Sequence, residues 1–132
     1  MPIAAGQPNG IKYGEDDAGG CGMSERELLK GSTDSLFLAL LSERPMYGYE
    51  ILREVEHRSG GYFAMKEGTL YPALHRLERD GLIEGLWRTS PGGQYRRYYA
   101  ISNPGLQRLE QRRVEWHKFS RAVNMVITGS TS

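Results

Sequence analysis

Apolar residues recur with helical spacing in four stretches of the chain, and with a spacing of two in one. Between Asp34 and Ser42 the run Leu36-Phe37-Leu38-Ala39-Leu40-Leu41 is apolar on nearly every side, which predicts a helix covered on most faces. Arg44-Pro45 breaks it. Ile51, Leu52 and Val55 mark the buried stripe of a second helix, which Tyr47-Gly48-Tyr49 leads into and Ser59-Gly60-Gly61 stops. Tyr62, Phe63 and Met65 make a short extended link. Leu70, Leu74 and Leu77 then fall at i, i+4 and i+7 on a third helix. Pro72 places its start near Glu67 to Thr69, because proline is cheap in the first turn, where backbone amides lack intrahelical partners. Asp80-Gly81 ends it and Leu82-Ile83 runs into extended chain.

After Ile83 the period becomes two. Leu86 to Thr89 and Tyr95 to Ile101 read as a two-stranded hairpin around Ser90-Pro91-Gly92-Gly93-Gln94. Alternation puts Tyr95, Arg97, Tyr99 and Ile101 on one face and Arg96, Tyr98 and Ala100 on the other, with Tyr99 and Ile101 expected towards the core. Ser102-Asn103-Pro104 announces a fourth helix, with Asn103 as N-cap and Pro104 in the first helical position. On it Leu106, Leu109, Trp116, Val123 and Ile127 hold heptad positions interrupted by Arg113 and Ser120, and Phe119 and Val126 widen the stripe. A helix of this length after a finished domain has no core left to bury itself in. Its seam, Leu106, Leu109, Trp116, Phe119, Val123 and Ile127, therefore predicts a homodimer. The fold class is mainly α with a small β-hairpin.

Residues 1–23 lack this periodicity: they are rich in glycine, and read as a disordered tail. The stretch from 24 to 101 is the folded domain, 102–128 the terminal helix, and 129–132 a second disordered tail. Met23 precedes Ser24-Glu25-Arg26-Glu27, which has capping-box spacing, and is a candidate start. With 132 residues, 39% hydrophobic and 25% charged, the chain is ordinary for one soluble domain. No stretch reaches the ~18 consecutive apolar residues of a membrane span, and no secretory signal pattern opens it, so a cytoplasmic protein is expected, on the nucleoid if it binds DNA. The lone Cys21 has no cysteine or histidine close by for a disulfide or zinc site, so neither metal nor cofactor is expected.

Net charge is +1, and only mildly basic once the acidic tail is set aside, so the placement of the arginines matters more than the total. The polar face of the third helix carries Thr69, Tyr71, His75, Arg76 and Arg79, donors and cations suited to phosphates and base edges. Arg79 sits late and has Glu78 or Asp80 as an alternative. The hairpin from Leu86 to Ile101 holds three arginines and no acid, the pattern of a phosphate-contacting wing.

The run Gly68-Thr69-Leu70-Tyr71-Pro72-x-Leu74-x-Arg76-Leu77-Glu78-x-x-Gly81-Leu82-Ile83, with Arg96-Arg97-Tyr98-Tyr99 downstream, resembles the PadR family of bacterial transcriptional regulators. Leu36-x-Leu38-x-x-Leu41 and Gly48-Tyr49-x-Ile51 match it too, so the resemblance spans roughly Ser24 to Ile127. It implies a winged helix-turn-helix with a C-terminal dimerisation helix, of the smaller subfamily, acting as a repressor on a pseudo-palindromic double-stranded operator. The expected DNA contacts are Lys66, Thr69, Tyr71, His75 and Arg76 on the helix and Arg96 and Arg97 on the wing, with Tyr71 on a phosphate and His75 reading sequence. Trp116 is read first as simple dimer packing; the other reading makes it, with Arg113, Phe119 and Phe37, a candidate site for a planar aromatic or phenolic effector.

Enzymatic chemistry is not indicated. His57, His75 and His117 lie on separate segments, no nucleophile sits in an elbow, and the glycine runs do not join a strand to a helix. A winged-helix adaptor that binds protein without specific DNA is the rival reading.

Overall fold

The computed structural model describes residues 25–129, with side chains described from Ser32 onward. Seven elements follow in order: α1 (Glu25–Leu41), β1 (Met46–Tyr47), α2 (Gly48–Arg58), α3 (Glu67–Arg79), β2 (Ile83–Thr89), β3 (Tyr95–Ile101) and α4 (Asn103–Ile127). Residues 1–33 form one unit, of which the opening turns of α1 are described, and residues 34–132 form a second that holds all that follows. The expected tail over 1–23, Cys21, the Met23 start and the Ser24 cap lie outside the described residues, as does the chain beyond Gly129.

Helical stripes build the core from several directions. Phe37, Leu38 and Leu41 come from α1, Ile51 and Val55 from α2, and Leu70, Ala73, Leu74 and Leu77 from α3. Met46, Ile83 and Tyr99 close it from the sheet, and Leu109 from α4. Each fully buried Leu, Ile or Phe side chain here contributes about 1.5–3 kcal/mol by leaving water. Gly81, at φ 76, ends α3 in the left-handed conformation, and the Leu82 amide then donates to the Leu77 carbonyl at 2.9 Å.

Several expectations need correcting. The hairpin is part of a three-stranded antiparallel sheet in the order β1-β3-β2, with Met46 opposite Tyr99 and Tyr47 opposite Tyr98. A strand of two residues is too short to show a period, so this stretch read as a helix entrance. Tyr98 faces away from Tyr99 yet is also buried, because Tyr47 stands edge-on to its ring at 5.3 Å and the Arg88 guanidinium lies 4.4 Å above it. Pro72 is not in the first turn: Lys66 is the N-cap of α3, so Pro72 is the sixth helical residue. It offers no amide to the Gly68 carbonyl, which can be solvated because Gly68 is exposed. The cap of α4 is Ser102, not Asn103; its Oγ accepts from the Gly105 amide at 3.1 Å and donates to the Gly81 carbonyl at 2.6 Å.

Two site expectations also change. Phe37 is 0% exposed and Leu109 4%, both packed within the protomer's own core. Phe37 therefore offers no surface to a ligand, and Leu109 none to a second copy. Periodicity marks a residue as buried without saying against what.

Candidate nucleic-acid interface

The outward face of α3 is built by subtraction. Its stripe of Leu70, Ala73, Leu74 and Leu77 turns inward, which leaves Lys66, Thr69, Tyr71 and His75 exposed on neighbouring turns. Tyr71 is 38% exposed, and its seat is set by α2: a Cβ at Gly48 would lie 2.6 Å from the Tyr71 hydroxyl and 3.0 Å from Leu70 Cδ2. Glycine at the first position of α2 thus lets the tyrosine cross the helix start. The hydroxyl stands over Gly48, the first residue of α2.

Arg76 and Arg79 behave differently from that row. The Arg76 guanidinium donates to Asp34 on α1 at 2.8 Å, with both side chains largely covered. Next to Asp34, the Ser35 hydroxyl accepts from Arg112 of α4 at 3.3 Å, so one turn of α1 ties α3 to α4. Arg79 is exposed and only 3.5 Å from Asp80.

The wing separates its adjacent arginines. Residues side by side on a strand point to opposite faces. Arg97 lies on the inner face and donates to Glu78 of α3 at 2.5 Å. Gly85, diagonally across the strand pair and two residues from Trp87, the register partner of Arg97, makes this route open: a Cβ there would overlap the guanidinium. Burial works against the Arg97 charge, but the Glu78 carboxylate and the Tyr99 hydroxyl outweigh it and hold the group above its ordinary range. Burial in turn raises the Tyr99 hydroxyl, opposed by Arg97, so both stay in their neutral-pH forms. Arg96 lies on the outer face over the Tyr47 ring at 4.5 Å. Near the tip Trp87 and Tyr95 stack at 5.4 Å, both well exposed.

On α4 one side of the helix changes environment along its length. Gly105 and Leu109 press it against the domain. The same side continues through Trp116, Phe119, Val126 and Ile127, which are 60%, 61%, 85% and 75% exposed, with Val123 half-buried among them. Trp116 and Phe119 touch at a centroid separation of 5.7 Å. Leu106 is also exposed, and Arg113 is exposed 3.9 Å from Glu110.

Sequence reasoning gave no site role to Asp34, Gly48, Gly85 or Gly105. A glycine inside a strand or helix pattern was the available signal for three of them. Among the described residues no group of acidic, histidine or cysteine side chains could hold a metal, and no helix is long and apolar enough to cross a membrane.

Residues 37–111 match the model of the transcriptional regulator PadR-like family. An uncharacterised protein of Lysinibacillus sphaericus is 33% identical over 107 residues, 81% of this chain and 98% of that protein. The transcriptional regulator YqjI of Escherichia coli is 30% identical over 94 residues, 71% of this chain but 44% of that longer protein. The crystal structure of a PadR-like transcriptional regulator of Bacillus cereus superposes with a TM-score of 0.71 at 33% identity, covering 79% of this chain and 99% of the other. A PadR family transcription regulator of Clostridium difficile gives 0.65 at 37% identity, with coverages of 72% and 97%.

Proposed function

Because the chain belongs to the PadR-like family of transcriptional regulators, DNA-binding proteins rather than enzymes, we propose that it is a homodimeric repressor of a pseudo-palindromic operator. The uncovered side of α4 carries the reading. Four large apolar side chains from Trp116 to Ile127, each more than half exposed, continue a face that the domain itself buries at Gly105 and Leu109. A second copy of α4 is the natural cover, through Leu106, Trp116, Phe119, Val123 and Ile127. The working division is then 24–101 for DNA binding and 102–128 for dimerisation. A two-fold pair of α3 helices would address half-sites about one DNA turn, or a multiple of it, apart.

Lys66, Thr69, Tyr71 and His75 are the proposed contacts of α3, with Tyr71 on a phosphate and His75 on a base edge. Arg96 is the proposed contact of the wing. Arg76 and Arg97 act through their ion pairs, fixing α3 against α1 and the wing against α3. Trp116, flanked by Phe119 and Arg113, is the proposed stacking site for a planar aromatic effector that releases the DNA. Release requires the effector to prefer a dimer whose helices are mis-spaced for the operator, since equal affinity for both states shifts nothing. The protein is proposed to act in the cytoplasm, on the nucleoid.

Gel shift with the DNA upstream of its own gene, alongside sedimentation of the free protein, tests this. A dimer with binding that resists competitor DNA is expected; a monomer, or weak binding that competitor removes, would favour a protein-binding adaptor. Planar dyes and phenolic acids titrated into Trp87→Phe protein report on Trp116 by fluorescence. Quenching without loss of operator affinity would dismiss the effector site.

A further inference from the structure

Resting on the DNA-binding reading, we propose that Asp34 and Ser35 of α1 form a bracket that fixes α3 relative to α4 and thereby sets which spacing of operator half-sites the dimer accepts. The two residues are neighbours in the chain, and successive side chains leave a helix about 100° apart. One turn of α1 therefore reaches two helices at once. The Asp34 carboxylate accepts from Arg76 of α3 at 2.8 Å, and the Ser35 hydroxyl accepts from Arg112 of α4 at 3.3 Å. Phe37 and Leu38, just beyond, are 0% and 1% exposed, so the bracket stands on a part of α1 that the core immobilises.

A second tie lies where α4 begins. There Ser102 donates to the Gly81 and Leu82 carbonyls just past the end of α3, and Gly105 lets the backbone close on Leu82. An attachment at one place can still pivot. Ties at Gly105 and at Arg112, about 10 Å apart along the helix, fix an angle. Leu109 packs between them, but apolar contact is non-directional and permits sliding. The directional bonds of Asp34 and Ser35 are what oppose the pivot.

One base pair more or less between two half-sites moves them by about 3.4 Å along the DNA and about 35° around it. Shared between two protomers, that asks each α3 to shift by about 1.7 Å against a seam built from α4. The Arg112 bond is already long and is lost within a few tenths of an ångström, and the Arg76 bond within less than one. A mis-spaced site must therefore break the bracket in both protomers. The side chains of Arg76 and Asp34 are only 32% and 25% exposed, so water replaces their bond in part.

Footprinting on the upstream duplex locates the centre of the protected region, and two further duplexes carry one base pair added or removed there. Fluorescence anisotropy then gives Kd on all three for wild type, Asp34→Ala, Ser35→Ala, Ser35→Thr and Glu43→Gln. The readout is the ratio of Kd at altered and native spacing, because removing an acid strengthens binding to every duplex alike and cancels in the ratio. Wild type should prefer the native spacing. That preference should fall about fivefold in Asp34→Ala and about twofold in Ser35→Ala, the scale of one hydrogen bond between charged groups and of one long hydrogen bond. Ser35→Thr keeps the hydroxyl and should keep the preference. Glu43→Gln also removes an acid, but one that bonds to Arg58 of α2 rather than to α3 or α4, and should leave the ratio as it is. Asp34→Asn serves if the alanine variant fails to fold. Wild type that discriminates while both alanine variants keep its ratio would overturn the bracket and leave the DNA reading intact, as would wild type that takes all three spacings alike. An equal fall in Glu43→Gln would also overturn it, by making the effect a general loosening. Wild type that binds none of the duplexes removes the DNA reading itself, and the bracket with it.

Discussion

Gly105→Ala sets two effects of opposite sign against each other, and the structure decides between them. In an ordinary helix interior the exchange stabilises by about 0.8–1.0 kcal/mol. Here the added Cβ would lie 2.1 Å from the Leu82 carbonyl oxygen and 2.7 Å from Ile101 Cγ1. A close carbon–oxygen contact is about 3.3 Å or more, so something must move by over an ångström. The Leu82 carbonyl has little room to retreat, since it accepts the Ser102 amide at 3.0 Å while the Leu82 amide is bound to Leu77. Overpacking costs about 1–3 kcal/mol, and losing the Ser102 bond adds about 0.5–1.5 kcal/mol. With the helical gain of about 1 kcal/mol subtracted, the variant should be less stable by about 0.5–3.5 kcal/mol. Urea denaturation followed by far-UV circular dichroism, at one protomer concentration for both proteins, should show a lower midpoint at unchanged slope. A midpoint at or above wild type would refute the reasoning and show the contact between α4 and Leu82 to be soft.

Three further outcomes are expected. Tyr71→Phe should fold normally and lose roughly 1 kcal/mol or more of DNA affinity, the scale of a hydrogen bond to a charged group; equal affinity in a gel shift would make Tyr71 a packing residue over Gly48. Trp116→Lys should shift sedimentation towards the single protomer while far-UV helicity is kept, and a dimer that survives would place the seam elsewhere. Hydrogen bonds from Arg58, donated to both Glu43 oxygens at 2.7 Å, hold the Glu43 carboxyl below its ordinary value of 4.5. A lowered folded pKa stabilises above the unfolded value, so the melting-temperature gap between wild type and Glu43→Gln should be present at pH 7 and close as pH falls below 4.5. A gap that persists in acid would deny the linkage.

The third helix was legible in the sequence because two independent signals coincide, the Leu70, Leu74, Leu77 period and the Gly81 stop. Pro72 was overread as a first-turn marker, since sterics allow a proline in the second turn when its carbonyl partner is exposed. The hairpin was legible from its turn and alternation, but β1 was not, because two residues carry no period. Adjacency in sequence misled most on the wing. Arg96 and Arg97 stand together in the chain, yet the pleat sends them to opposite faces, and the cross-strand mate of Arg96 is Arg88, found only through the strand register. Arg76 looked like a surface cation because Asp34, its partner, is 42 residues away in sequence. On α4 the heptad is real as a stripe, but a stripe does not state where the domain ends, so Leu109 and Trp116 looked alike in sequence while one is core and the other open.

The stitching at Gly81, Leu82, Ser102 and Gly105 fastens the end of α3 to the root of α4 through hydrogen bonds and a backbone approach with no side chain between. Beyond Arg112, whose guanidinium is the last described tie from α4 to the domain, the helix continues to Ile127 as an arm about 22 Å long at the rise of a helix. A joint without slack at one end of such an arm makes a lever. Swinging the arm by about ten degrees moves its far end by roughly 4 Å over that length, and in a dimer held at the far end the motion would be felt at the root instead. The distance between the two α3 helices is then geared to the angle at which two arms cross.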